Sequence, residues 1–236
     1  MKKPDASITI PQRGERLLLI GQTGSGKSVL ASQLIERAPA PVFVLDSKGE
    51  PAVQSIEERV HSMGQLRGMR REEAPDYVLI QPSVEEVADP ASLDEYVRII
   101  HEWHTPATLY IDELYMMHNG GRAYPGLIGA YTRGRSAGLT LIGGTQRPAW
   151  VSRFALSESS AYIVFRIVDR TDKKRISEVI PGFDKLEQPQ PFHWCYFRHG
   201  DMEPSFYPPV PFRHPDFSLP RPFEPTEPEV IEKYWI

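Results

Sequence analysis

The octet GQTGSGKS, residues 21–28, directly follows the apolar run LLLI and fits the pattern G-x-x-x-x-G-K-[ST] through Gly21, Gly26, Lys27 and Ser28. Residues of these types at this spacing bind phosphate. Glycines let backbone N–H groups converge on phosphate oxygens, and the helix that follows adds the positive end of its dipole. The pattern therefore predicts a nucleotide cradle built from Gly21, Gln22, Thr23, Gly24, Ser25, Gly26, Lys27 and Ser28. Within it, Lys27 would reach the β- and γ-phosphates of ATP and the Ser28 hydroxyl would ligate Mg²⁺. A chance Gly/Ser turn needs no particular flanks, whereas this one has a short apolar strand before it and an amphipathic helix pattern over 28–38.

A second group of residues completes the chemistry. LYIDEL (109–114) is an apolar strand ending in two acids. Asp112 stands where a phosphate-loop enzyme places the acid that holds Mg²⁺, and Glu113 can act as general base on an attacking water. GGTQRP (143–148) ends a further strand, where Gln146, with Thr145 beside it, can sense the γ-phosphate and orient that water. A switch GTPase would need an N-K-x-D guanine-reading motif, which the sequence lacks. A small-molecule kinase would not need the second acid. The expected reaction is hydrolysis.

These groups must be held by a scaffold, and the chain alternates strand and helix patterns. Strands are expected at Arg16–Ile20, 41–46, 76–82, 107–114, 138–146 and 161–167, with helices at 90–104, 124–136 and 172–180. Within 52–74, the charged stretch RGMRREE reads as a solvated helix face or loop. HWCYF and PSFY read as a terminal strand pair. The fold class is α/β, a mostly parallel sheet with helices on both faces and antiparallel strands at its C-terminal edge. With 236 residues and 40% hydrophobic content, one domain can bury a sizeable core. The net charge of −4 excludes a globally basic nucleic-acid binder, so such contacts must be local. One cysteine, Cys195, excludes an intrachain disulfide framework and is expected as a buried small hydrophobe. The first residues lack a signal-peptide core and no run approaches ~20 apolar residues, so a soluble intracellular protein is expected.

The end of the chain differs in composition. Pro208, Pro209, Pro211, Pro220 and Pro222 favour extended backbone, interleaved with Phe212, Phe217, Phe223, Tyr234 and Trp235. The expected organisation is an ATPase domain over 1–207 and a Pro- and aromatic-rich tail over 208–236. The tail would lie on its own domain or on a neighbouring subunit.

GQTGSGKS, FVLDSKGE, LYIDEL, TRGRSAGLTLIGGTQRP and IVFRIVDRTD, in this order, resemble the FtsK/HerA branch of P-loop ATPases. The likeness runs from about Arg13 to Ile180. Within that branch the chain is similar to the genome-packaging ATPases of tailless, membrane-containing double-stranded DNA viruses of the tectivirus type. The resemblance implies a RecA-like core, a homo-oligomeric ring, hexameric by expectation, and ATP with Mg²⁺. It also implies double-stranded DNA as substrate and residence in host cytoplasm or at a virion vertex, beside a capsid vertex or portal protein. It further implies an arginine supplied by the adjacent subunit. Arg133, Arg135, Arg147, Arg153 and Arg166 are the candidates, with Arg135 and Arg166 ranked first.

A motor must also touch its substrate. The loop MMHNGGRAYPG (116–126) offers His118, Asn119, Arg122 and Tyr124 beside Gly120 and Gly121, and Arg122 can bind a phosphate backbone without reading bases. DRTDKKR, with Lys173 and Lys174, and RGMRR (67–71) are the other basic clusters. A ring repeats one modest patch around its pore, which reconciles an acidic chain with DNA binding. Two alternatives remain: an ATPase driving phage protein assembly, and a nucleotide-dependent DNA-binding switch.

Overall fold

The computed structural model describes residues 11–119 and 121–218. Gly120 and the tail residues Phe223, Tyr234 and Trp235 lie outside the described residues. The elements in chain order are β1 (Arg16–Ile20), α1 (Lys27–Arg37), β2 (Val42–Leu45), β3 (Arg59–Val60), α2 (Met63–Gly68) and β4 (Tyr77–Ile80). Then come α3 (Val84–Ala88), α4 (Pro90–Trp103), β5 (Ala107–Ile111), β6 (His118–Asn119), β7 (Arg122–Ala123) and α5 (Pro125–Ala137). The last are β8 (Leu139–Thr145), α6 (Arg153–Glu158), β9 (Ala161–Phe165), α7 (Arg170–Ile176), β10 (Trp194–Arg198) and β11 (Ser205–Tyr207).

Among the described residues, nine strands form one sheet in the order β11-β10-β9-β1-β8-β5-β2-β4-β3. Pairing is parallel from β9 through to β3 and antiparallel at β9-β10 and β10-β11. The expected architecture is the one found.

Period-two alternation assigns each strand residue to a face. Leu18 and Ile20 join a core with Leu93, Val97 and Ile100 of α4 and Leu127 and Tyr131 of α5. Leu17 and Leu19 join a second core with Leu30, Leu34 and Ile35 of α1. Covering both faces explains why the central strands read as continuous apolar runs. Cys195 is buried in β10, and burial pushes its thiol up to about 12.

Local signals set several ends. Asp89 caps α4 by accepting from the amides of Ala91 and Ser92, with Pro90 in the first turn. Ser83 and Glu86 form a reciprocal capping box on α3, a short helix absent from the sequence reading. Residues 52–74 contain β3 and α2, with Ile56, Val60 and Leu66 buried, while the charged RGMRREE within them lies at the surface as expected. The helix expected over 172–180 runs Arg170–Ile176, started by Asp169, whose carboxylate accepts from Thr171 and Asp172.

Residues 208–218 lie across α1. Gln33 Nε2 donates to the Pro211 carbonyl at 3.0 Å, Arg213 pairs with Glu36, and the Phe217 ring meets Tyr77 edge-on at 4.8 Å.

Candidate active site

Register brings the predicted groups to one edge of the sheet. Ile20 of β1 pairs with Thr145 of β8, and Ile111 of β5 pairs with Gly143 of the same strand. The phosphate loop, the Asp112–Glu113 pair and Gln146 therefore leave three adjacent strands together, with β8 in the middle. The ladder continues into the loop, where the Gly21 amide donates to the Thr145 carbonyl at 3.1 Å.

The loop turns into α1 at Gly26, whose φ of 96° is accessible to glycine and strained for other residues. The Ser25 hydroxyl is buried without a hydrogen-bond partner among the described residues, a donor left over in the loop. Such an orphan fits a phosphate acceptor. Lys27 is buried, and its Nζ lies 3.4 Å from Asp112 Oδ1. That approach depends on Gly144 in β8. A Cβ there would stand 2.4 Å from the Asp112 carbonyl and 3.2 Å from Lys27 Nζ.

Both acids are buried. Tyr110, fully buried one turn of the pleat earlier, donates its hydroxyl to Asp112 Oδ1 at 3.2 Å. Burial, then the Asp112 charge, pushes the Tyr110 hydroxyl far up, so it stays a neutral donor. Glu113 has its two oxygens engaged separately. Oε1 accepts from Lys48 Nζ at 2.5 Å, and Oε2 accepts from the Gln146 amide at 3.3 Å. The Gln146 side chain reaches the other way, its Oε1 accepting from Thr23 Oγ1 at 2.7 Å.

Lys48 belongs to a turn that the sequence reading used only to recognise a resemblance. Asp46, at the end of β2, accepts from the amides of Lys48, Gly49 and Glu50 and from Gln54 Nε2. This fixed turn aims Lys48 at Glu113 and Glu50 at Ser28, whose hydroxyl donates to Glu50 Oε2 at 2.9 Å. Asp46, Lys48, Glu50 and Tyr110 are site residues that sequence reasoning missed. The oxygen donors Ser28, Asp112 and Glu50 fit a hard cation such as Mg²⁺.

A pocket of about 170 Å³ opens beside the loop, between residues 22–25 and Arg166, Pro191 and Phe192. Phe192 is 56% exposed and has a φ of 64°, in the left-handed region. Arg166 thus faces the loop of its own subunit. Arg135 is exposed at the end of α5, against Gly14, which precedes β1 at the opposite end of the sheet. Arg147 pairs with Asp172 at 3.4 Å and lies over the Trp150 ring, and Arg153 pairs with Glu178.

The basic segments divide. Exposed Arg122 sits on the β6-β7 hairpin, with Gly121 beside it. His118 is not presented for binding. Its ring nitrogens meet the Leu114 carbonyl and the Ser152 hydroxyl, and burial lowers its basicity. Lys174 is exposed and Lys173 half-buried on α7, which is tied back through Asp172 to the Ala149 amide. The hairpin and α7 are therefore anchored to residues 149–152, just beyond Gln146. RGMRR lies far off at the β3 edge, where Arg67 pairs with Glu95 and Arg70 with Glu73.

A parallel sheet with a phosphate loop, paired acids and a polar strand end between them defines a P-loop ATPase. The chain is 30% identical over 220 residues to the DNA packaging ATPase P9 of Enterobacteria phage PRD1, covering 87% of this chain and 91% of that protein. The chain belongs to that family of viral packaging ATPases. Its fold is similar to the genome packaging NTPase B204 of Sulfolobus turreted icosahedral virus 2 in complex with AMPPCP. That match has a TM-score of 0.67 and 18% identity, over 84% of this chain and 98% of that one. A more distant fold relative is EccC (ATPases 2 and 3) of Thermomonospora curvata, at TM-score 0.53 and 11% identity, over 89% of this chain and 41% of that one. No protein-family model matches the chain.

Proposed function

We propose that this protein hydrolyses ATP to drive double-stranded DNA through a ring of its own subunits, hexameric as expected from the resemblance, during viral genome packaging. Glu113 takes a proton from water as the water oxygen attacks the γ-phosphorus, and ADP is the leaving group. Lys27, the loop amides and the Ser25 hydroxyl bind the phosphates, and Gln146 orients the water. Ser28 and Asp112 would hold Mg²⁺, with Glu50 against the Ser28 hydroxyl; the ion would neutralise phosphate charge. The pocket of Phe192 and Arg166 takes the nucleobase side of ATP. Of the two arginines ranked first, that leaves Arg135 as the candidate for the arginine that completes a neighbour's site. Arg122, Lys173 and Lys174 contact the DNA backbone.

The observation that carries this reading is the chain Thr23–Gln146–Glu113, which links the phosphate loop to the base in a member of the P9 family. The domain boundary at Tyr207, the placement at a virion vertex or in host cytoplasm, and a capsid vertex or portal partner belong to the same proposal. Nucleotide binding and turnover of two variants test it. Lys27→Ala abolishes binding, whereas Glu113→Gln binds ATP and does not turn it over. A Glu113→Gln protein with near-normal turnover would remove the assigned base.

A further inference from the structure

The segments that follow Glu113 and Gln146 run side by side and are joined rung by rung. Glu113 Oε2 accepts from the Gln146 amide at 3.3 Å. Further along, the Tyr115 ring meets Trp150 edge-on at 5.3 Å. Beyond that, His118 Nε2 lies 3.1 Å from the Ser152 hydroxyl. Each segment is stiffened by a short helical turn, Leu114–Met117 on one side and Pro148–Trp150 on the other. Met117 and Val151, next to the last rung, are buried. A shift at His118 is therefore passed along short, packed backbone to the proposed base and to the residue that orients water.

One arrangement of the His118 ring satisfies both of its neighbours. The Leu114 carbonyl, 2.9 Å from Nδ1, can only accept, so Nδ1 carries the proton. Burial lowers the basicity of the ring and keeps it neutral. Nε2 must then accept, and the Ser152 hydroxyl donates to it. The Ser152 oxygen accepts in turn from the Ala155 amide at the start of α6. Ser152 is thus fixed by a helix, and His118 by the turn behind Glu113. The other attachment of His118 is the hairpin. His118 pairs with Ala123, and Asn119 with the exposed Arg122. A ribbon this short does not hold itself in place, so the ring contacts of His118 help to set where Arg122 stands.

We infer that His118 is the positioning residue through which bound DNA regulates ATP turnover. A phosphate held by Arg122 orders the hairpin, which firms the His118–Ser152 bond and steadies the Gln146 amide on Glu113. Without DNA the short ribbon breaks that bond more often, the two segments lose their alignment, and turnover stays basal. Both ring nitrogens are engaged by Leu114 and Ser152, so the part His118 plays is in coupling and not in holding either substrate. This inference rests on the DNA-motor reading above.

ATP turnover with and without linear double-stranded DNA, measured beside DNA affinity by fluorescence anisotropy, tests it in two variants. His118→Asn keeps a donor for the Leu114 carbonyl but has no atom for Ser152. Ser152→Gly removes the hydroxyl, and glycine is tolerated at the start of a helix. Each variant is expected to bind DNA as wild type does, to keep most of its basal turnover and to lose most of the stimulation. The double variant loses no more than either alone, as a coupled pair requires. Ser152→Thr, which keeps the hydroxyl, keeps the stimulation. Full stimulation in His118→Asn overturns the inference. A loss of DNA affinity or of basal turnover in step with the stimulation also overturns it, because His118 would then support the hairpin or the fold and not the coupling. Wild-type protein that hydrolyses ATP without any response to DNA would instead refute the DNA reading itself, and the inference with it.

Discussion

Thr23 at the tip of the phosphate loop donates its hydroxyl to the side chain of Gln146 at 2.7 Å, while the amide of that same residue donates to Glu113 at 3.3 Å. One residue thus touches both the phosphate loop and the proposed base. In the proposed mechanism the loop amides and Lys27 supply the phosphate contacts, so binding should not require this bridge, whereas alignment of water should. Gln146→Ala is expected to leave ATP affinity within a few-fold and lower kcat by about 10²-fold, as for loss of one placed polar group. Steady-state kinetics beside nucleotide titration check it. A parallel loss of affinity would make Gln146 a binding residue instead.

Arg135 sits at the far end of β1 from its own phosphate loop, so any catalytic part it plays is on a neighbour. Turnover should then rise with protein concentration as subunits associate. Arg135→Ala should lower it on the order of 10³-fold, as for other arginines supplied across an interface. Mixing Arg135→Ala with Lys27→Ala protein tests this in one step. Some activity returns where an intact arginine meets an intact loop, and a mixture as inactive as its parts speaks against Arg135.

The tail contact carries a pH dependence. Burial pushes the Glu36 carboxyl up, but the Arg213 hydrogen bond and the Asp216 amide outweigh it and hold the group below its ordinary value. A carboxylate depressed in the folded state adds stability above its unfolded pKa, and that stability is lost as pH falls through the folded value. The thermal midpoint should therefore drop on acidification below the ordinary glutamate range. The drop should be smaller in Glu36→Gln protein. Equal drops would show that the clasp of residues 208–218 on α1 does not depend on this pair.

What the sequence displayed most clearly was whatever chain connectivity alone determines. Leu17 to Ile20 read as a buried strand because both faces of β1 are covered, and the loop after it carries its chemistry in consecutive residues. Glu113 and Gln146 were legible because each sits at the end of an apolar run. Lys48 and Glu50 were present in a segment noted for its likeness to a family, but their partners are set by pairing of β2 with β5 and by the turn at Asp46. No local pattern announces a contact across 65 residues. The two residues of β3 are too few for periodicity to register. The capping box of α3 is present in SVEE, but five residues of helix offer no apolar stripe to mark the element.

Action on DNA is read out by ATP turnover titrated with linear double-stranded DNA at low salt. The hairpin bearing Arg122 and the helix bearing Lys173 and Lys174 are both tied to residues 149–152, next to Gln146. DNA held there should bear on the residue that orients water. Turnover is expected to rise several-fold with DNA and to lose that rise as salt increases, because phosphate contacts release counterions. Arg122→Ala and the Lys173→Ala/Lys174→Ala pair should reduce the stimulation while leaving basal turnover in place. Identical turnover with and without DNA, in a preparation that hydrolyses ATP, would rule out DNA as the partner of this ATPase.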